Sequence, residues 1–375
     1  MKKQMLYYQS EKRNERIKRA LACLLALLLT VAALPPALPV ISAQTAAYTQ
    51  PAAPTEGDCG SAATWHFDPA SGTLTVSGTG VMQDYSTAHL LEAGRSVTTA
   101  PWRPFYHEIQ AVVIGEGITG IGNAAFVGCD SLTQVTLADS VTRIGSYAFA
   151  SCTALPTITM PPGVTTVDRF AFSGCTGLTS VQISDLAAWC RTAFTGVAAN
   201  PLSCAHRLIL NGEPLTELTI PDGVTSIGNY KFYGCEDLTR VTIPPSVTSI
   251  GHYAFMGCTG LTELALPDSV TSIGQNAFSD CTGLTNVSLG AGVTSIAKLS
   301  FSGCTGLTAV PAGSSVTSIA NEAFVDCTGL TAIAVPEGVT SIGNAAFSGC
   351  SGAERISIPA SVTAIEAAAF PAASA

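Results

Sequence analysis

The chain has 375 residues, 47% of them hydrophobic and only 11% charged, with a formal net charge of −9. The first 47 residues hold 7 of the 17 basic residues; the rest carries 10 basic and 24 acidic residues, a net of −14. That balance argues against nucleic acid and against anionic membrane surfaces as partners.

Residues 1–47 read as an export signal with its cleavage region. Lys2, Lys3, Lys12, Arg13, Arg16, Lys18 and Arg19 form a basic leader, Ala20 to Leu34 is an apolar stretch, and Pro35-Pro36 breaks it. The apolar run is shorter than the ~18 residues a membrane span needs. The expected contact with a membrane is therefore through this signal, before cleavage. Residues 48–56 are rich in Ala, Pro and Thr and read as a linker. Residues 57–106 form a small β-rich unit around Thr73-Leu74-Thr75-Val76. A solenoid needs its end covered, so a cap is the economical reading. The alternative is a ligand module using Trp65, Trp102, Phe105 and Tyr106.

From residue 107 to 375 one sentence is written repeatedly. Glu236 to Cys258, EDLTRVTIPPSVTSIGHYAFMGC, shows it most plainly. Leu238, Val241 and Ile243 end in strand-like alternation, and Val247 to Ile250 is a second β-branched run. Gly251 to Cys258 has room for about one helical turn. One such coil cannot close a core around Phe255; stacked neighbours can. The expected fold is a right-handed, β-rich repeat solenoid with about eleven coils, short strands, helical turns and an N-terminal cap. The pattern lapses between 185 and 212. There, Ser184-Asp185 offers a helix N-cap, Leu186 to Phe194 has helical spacing, and Asn211-Gly212 reads as a tight turn.

Leu-Thr-x-Val-x-Ile-Pro, then Val-Thr-Ser-Ile-Gly and Ala-Phe-x-Gly-Cys, recur almost unbroken at Arg240 to Cys258 and Thr331 to Cys350. In these motifs the chain resembles the BspA-like leucine-rich repeat family. The resemblance implies an exported or surface protein, in a family some of whose members are adhesins for host matrix proteins or other bacteria. It implies no catalytic residues. Pro311, at a strand position, and Ala373, where cysteine is expected, depart from the motif.

Nine of the 13 cysteines end repeats, which predicts a buried column of free thiols, because parallel equivalent side chains do not turn towards each other as a disulfide requires. Cys190 and Cys204 lie inside the lapse, where pairing with each other remains open. Neither C-x-x-C nor H-E-x-x-H occurs, so no metal or cofactor is expected. Gly115 to Gly120 fits G-x-G-x-x-G, yet it is the repeat's own Gly-Val-Thr-Ser-Ile-Gly with substitutions. The variable position of each first strand holds Glu217, Arg240, Glu263 and Asn286 in successive copies, which stacking would bring into one column. Trp189, Arg191 and Arg207 add aromatic and basic character within the lapse, and such residues often carry interface energy. These seven residues are the candidate partner-binding set, for an extracellular protein or glycan of host matrix or other cells rather than a small-molecule substrate. Three readings follow: a non-catalytic binding or adhesion scaffold, a structural spacer, or an enzyme with its site in the cap or lapse.

Overall fold

The computed structural model describes residues 53–90 and 95–371. The segment expected to be an export signal, the first residues of the expected linker and Ala373 lie outside that range. The described chain is a β-solenoid of about eleven coils. Most coils contribute a first strand of three or four residues and a second strand of two. Arg240–Thr242 pairs in parallel with Glu217–Thr219 on one side and with Glu263–Ala265 on the other. Ser249–Ile250 pairs likewise with Ser226–Ile227 and Ser272–Ile273. Threonine hydroxyls reinforce the rungs: Thr262 Oγ1 donates to the Thr239 carbonyl, 23 residues earlier.

The core is a stack of rings. Phe255 lies between Phe232 at 5.3 Å and Phe278 at 5.4 Å, nearly parallel to both, and the stack runs on to Phe370. A second stack covers Trp102, Phe126, Phe149 and Phe172. All of these except Phe370 are buried.

The turn before each core phenylalanine propagates no helix. Its residue two positions earlier is left-handed, as at Tyr253 (φ 58) and Tyr147 (φ 59). Continued right-handed helix is impossible through such a residue. The described α-helices, Leu186–Arg191 and Leu202–Ala205, both lie in the lapse.

The N-terminal unit acts as a cap, and it is fused into the solenoid. Thr73–Gly78 pairs in parallel with Ala111–Ile114, so the first rung lies within it. Trp65 and Trp102 are buried, and Trp102 Nε1 donates to the Ala125 carbonyl at 2.9 Å. They close the end of the core instead of lining a ligand site.

The lapse is one enlarged coil followed by a hairpin. Asp185 caps Leu186–Arg191 by accepting from Ala188 N at 2.9 Å. The helix ends earlier than its apolar spacing predicts: Ala193–Phe194 is the coil's second strand, paired with Thr166–Val167. Leu208 pairs with Val181, closing the coil. Leu208–Leu210 then turns back on Glu213–Pro214 through Asn211 and Gly212, both at positive φ. This hairpin ends the sheet that starts at Thr157–Met160, and a new one begins at Glu217–Thr219. That sheet stops in turn after Asn286–Ser288, where Pro311 has no N–H to donate and only a bridge from Ser288 to Ala312 remains.

Candidate interaction surface

First strands have the burial pattern exposed, buried, exposed. The buried middle residue (Leu218, Val241, Leu264, Val287) enters the core, so its neighbours must face outwards. Register then sets Glu217 beside Arg240, Arg240 beside Glu263 and Glu263 beside Asn286. The column expected from the repeat alignment therefore exists in the fold. Its side chains are free: among the described residues, Arg240 makes no ion pair. A depression of about 380 Å³ opens here, lined by Arg240, Thr242, Glu263, Ala265 and Pro267 among others.

Arg207 joins the same column one sheet earlier. Leu208 pairs with Val181, so Arg207 stands beside Ser180, and its carbonyl accepts from Val181 N. Its guanidinium is exposed and bonds Asp237 at 2.6 Å. Arg191 is also exposed but lies elsewhere, in a depression of about 400 Å³ with Asp222 and Gly223, on the loop between first and second strands. The two arginines do not form one site.

Trp189 must be withdrawn from the partner-binding set. It is 2% exposed, its ring lies 5.1 Å from that of Phe194, and its Nε1 donates to the Lys231 carbonyl at 3.2 Å. It holds the short helix onto the next coil.

Lys231 was missed by the sequence reading. It occupies the position that is alanine in Ala254-Phe255 and Ala277-Phe278, and it is 1% exposed. Nζ donates to the carbonyls of Trp189, at 2.9 Å, and Thr192, at the C-terminal end of the helix, and lies 4.9 Å from the centre of the Phe194 ring. Burial lowers its pKa to about 8, against a smaller opposing effect of nearby Cys190. Comparing repeats position by position reveals this lone lysine in a column that is otherwise alanine, with serine at Ser300.

Cys190 and Cys204 are both free. Cys204 belongs to the column of repeat-end thiols, donating to the Phe172 carbonyl at 3.5 Å as Cys175 does to that of Phe149 at 3.1 Å. Among the described residues no group of three or more His, Cys, Asp or Glu could hold a metal ion, and no helix is long and apolar enough to cross a membrane.

The profile of the BspA type leucine rich repeat region matches residues 104–199, 209–331 and 318–374, in six copies. The chain belongs to this family. Among solved structures it is similar to a leucine-rich repeat protein from Eubacterium ventriosum, with 26% identity, a TM-score of 0.56, and coverage of 84% of this chain and 94% of that one. A leucine rich cell surface protein from Faecalibacterium prausnitzii is 23% identical, with a TM-score of 0.42 and coverage of 81% and 94%. A leucine-rich repeat protein from Bacteroides ovatus is 24% identical, with a TM-score of 0.39 and coverage of 75% and 89%. No curated protein matches.

Proposed function

We propose that this BspA-type repeat protein is an exported, non-catalytic scaffold that holds an extracellular protein or glycan at the bacterial surface. The observation that carries the reading is the register column Glu217, Arg240, Glu263 and Asn286, whose unpaired outward side chains border a depression on a rigid sheet. Family membership and the basic leader followed by Ala20 to Leu34 support export. A stacked solenoid makes such a column into one extended recognition face. Alternating charges on that face favour a partner with the complementary alternation.

The test is capture of matrix proteins and glycans by wild type and by an Arg240→Glu, Glu263→Lys double variant. Exposed substitutions of this kind change stability by about 0.5 kcal/mol or less. The variant is expected to keep its melting temperature and lose the captured partner. Equal capture by both proteins would remove the column as the site. A wild type that captures nothing would favour a structural spacer.

A further inference from the structure

A different face of the solenoid departs from what its backbone prefers. The left-handed residue that precedes Ala-Phe is Asn276 in one coil and Ala124 or Ala345 in others, which suit that conformation or strain it little. In four coils it is instead Tyr147, Phe170, Tyr230 or Tyr253, all with φ between 58 and 61. A bulky residue is held in this region only against a cost. Together with Tyr233, this edge gathers four of the chain's nine tyrosines.

Tyr147 and Phe170 lie outside the core, while Tyr230 and Tyr253 are half-buried and Tyr230 packs partly against it. Tyr147 and Phe170 are 40% and 42% exposed, with rings stacked at 5.0 Å; Tyr230 and Tyr253 stack at 5.3 Å. The enlarged coil separates the two pairs. Phe149 N donates to the Ala171 carbonyl and Phe172 N to that of Ala198, so Ala198 succeeds Ala171. Val197 therefore succeeds Phe170, and Gly196 succeeds Arg169. A side chain added at Gly196 would meet nothing within 4 Å. The result is a saddle, floored by Gly196 and Val197, with an aromatic pair on either side. Two rungs of ~4.8 Å separate Phe170 from Tyr230 in the column. That interval of ~9.6 Å admits one saturated ring, its mean plane ~4.8 Å from each side.

The rim is polar: Arg169 stands beside Phe170, and the carboxylate of Asp280 acts on Tyr233 further along the edge. Arg169 is exposed and makes no ion pair, whereas its neighbour Asp168 is bonded to Arg143 at 2.6 Å. Arg169 acts on the Tyr230 hydroxyl, opposing the upward push of burial and of Tyr253. The backbone of this edge has no strand to offer a peptide: Tyr147, Tyr230 and Tyr253 N–H groups already bond the carbonyls of Arg169, His252 and Gln275. Apolar walls with a rim of hydroxyl and guanidinium donors match a pyranose ring, which has apolar C–H faces and a rim of oxygens. The unpaired cation selects an acidic sugar.

We propose that this saddle is a carbohydrate subsite, seating one uronic acid of an extended polysaccharide between Phe170 and Tyr230, with Arg169 on its carboxylate. The site is separate from the strand column, so either can fail without the other. The test is isothermal titration of the full chain with hyaluronan oligosaccharides and, in parallel, neutral dextran oligosaccharides of matching length. Gly196→Leu fills the saddle at an extended backbone position (φ 172) that any residue adopts. Phe170→Ala restores a residue that this column already uses at Ala124 and Ala345. Each is expected to weaken hyaluronan binding roughly tenfold or more with an unchanged melting temperature, and Arg169→Ala to do the same. The Arg240→Glu, Glu263→Lys variant is expected to bind hyaluronan as wild type does. No hyaluronan binding by wild type, equal binding by Gly196→Leu and Phe170→Ala, or dextran bound as tightly as hyaluronan would each overturn the proposal.

Discussion

The Sγ–H of Cys258 donates to the carbonyl of Phe232 across 3.2 Å, linking the end of one coil to the core residue of the coil before it. Cys281 repeats this on Phe255, Cys304 on Phe278 and Cys350 on Phe324. The thiols are thus donors to buried carbonyls as well as small apolar fillers. Burial raises their pKa, to about 11 for Cys350, about 12 for Cys175 and well above 9 for Cys258 and Cys281.

Alkaline pH should therefore unfold the solenoid steeply. A thiol whose folded pKa is raised contributes its full stability below the unfolded value, near 9, and loses it as pH rises towards the folded value. Each costs ~1.4 kcal/mol per pH unit in that window. The whole repeat-end column acts together, so the urea midpoint should be level from pH 7 to 8.5 and collapse within about one further unit. A midpoint still unchanged at pH 10.5 would show that the thiols are not held protonated.

Cysteine alkylation of the denatured, unreduced chain should label all twelve described cysteines, Cys190 and Cys204 included. Mass spectrometry reads this directly. A Cys190–Cys204 disulfide would mean that the enlarged coil closes differently from the arrangement that puts Cys204 beside the Phe172 carbonyl.

Phe255→Ala should destabilise by ~3–5 kcal/mol, as large-to-small core changes do. The ring loses two stacked neighbours at once, Phe232 and Phe278, whereas Phe370 at the end of the stack has only Phe347. Phe370→Ala should accordingly cost less. Equal losses in chemical denaturation would contradict a stack whose stability is built from nearest-neighbour contacts.

The regular coils were legible because every position of the repeat answers to one constraint. Leu238, Val241, Ile250 and Phe255 are buried as their periodicity requires, and Glu217, Arg240 and Glu263 align because stacking allows no other register. The enlarged coil was only partly legible. Asp185 and Asn211-Gly212 act locally, so their cap and turn could be read from sequence. Phe194 has helical spacing, yet Thr166–Val167 offers it an open strand edge, and tertiary pairing wins. Trp189 has the residue type of an interface anchor and the same type serves a core; only its neighbours on the next coil, Lys231 and Phe194, decide between them. The left-handed conformation of Tyr147 and Phe170 leaves no trace in hydrophobic periodicity, so their edge was not visible.

Lys231 gives a prediction of opposite sign to the thiols. Its side chain is buried without a carboxylate, held by the carbonyls of Trp189 and Thr192, and burial lowers its pKa from 10.5 to about 8. Between those values the unfolded chain keeps the proton that the folded chain has lost, so this residue's contribution to stability rises with pH. Below pH 8 both states are protonated and the contribution is level. Lys231→Met keeps much of the stem and removes the titration. The stability of wild type minus that of the variant should be constant from pH 6 to 7.5 and then increase, by about 1 kcal/mol at pH 9. Both proteins carry the same thiols, so the alkaline loss of the repeat-end column cancels in the difference; only Cys190, whose pKa Lys231 lowers, does not. At neutral pH the variant also leaves the Trp189 and Thr192 carbonyls without their donor, which should loosen the helix Leu186–Arg191 and raise hydrogen exchange there first. A difference that stays flat to pH 9, with exchange in that helix unchanged, would place the lysine in solvent and remove it as the tie between the enlarged coil and the coil that follows.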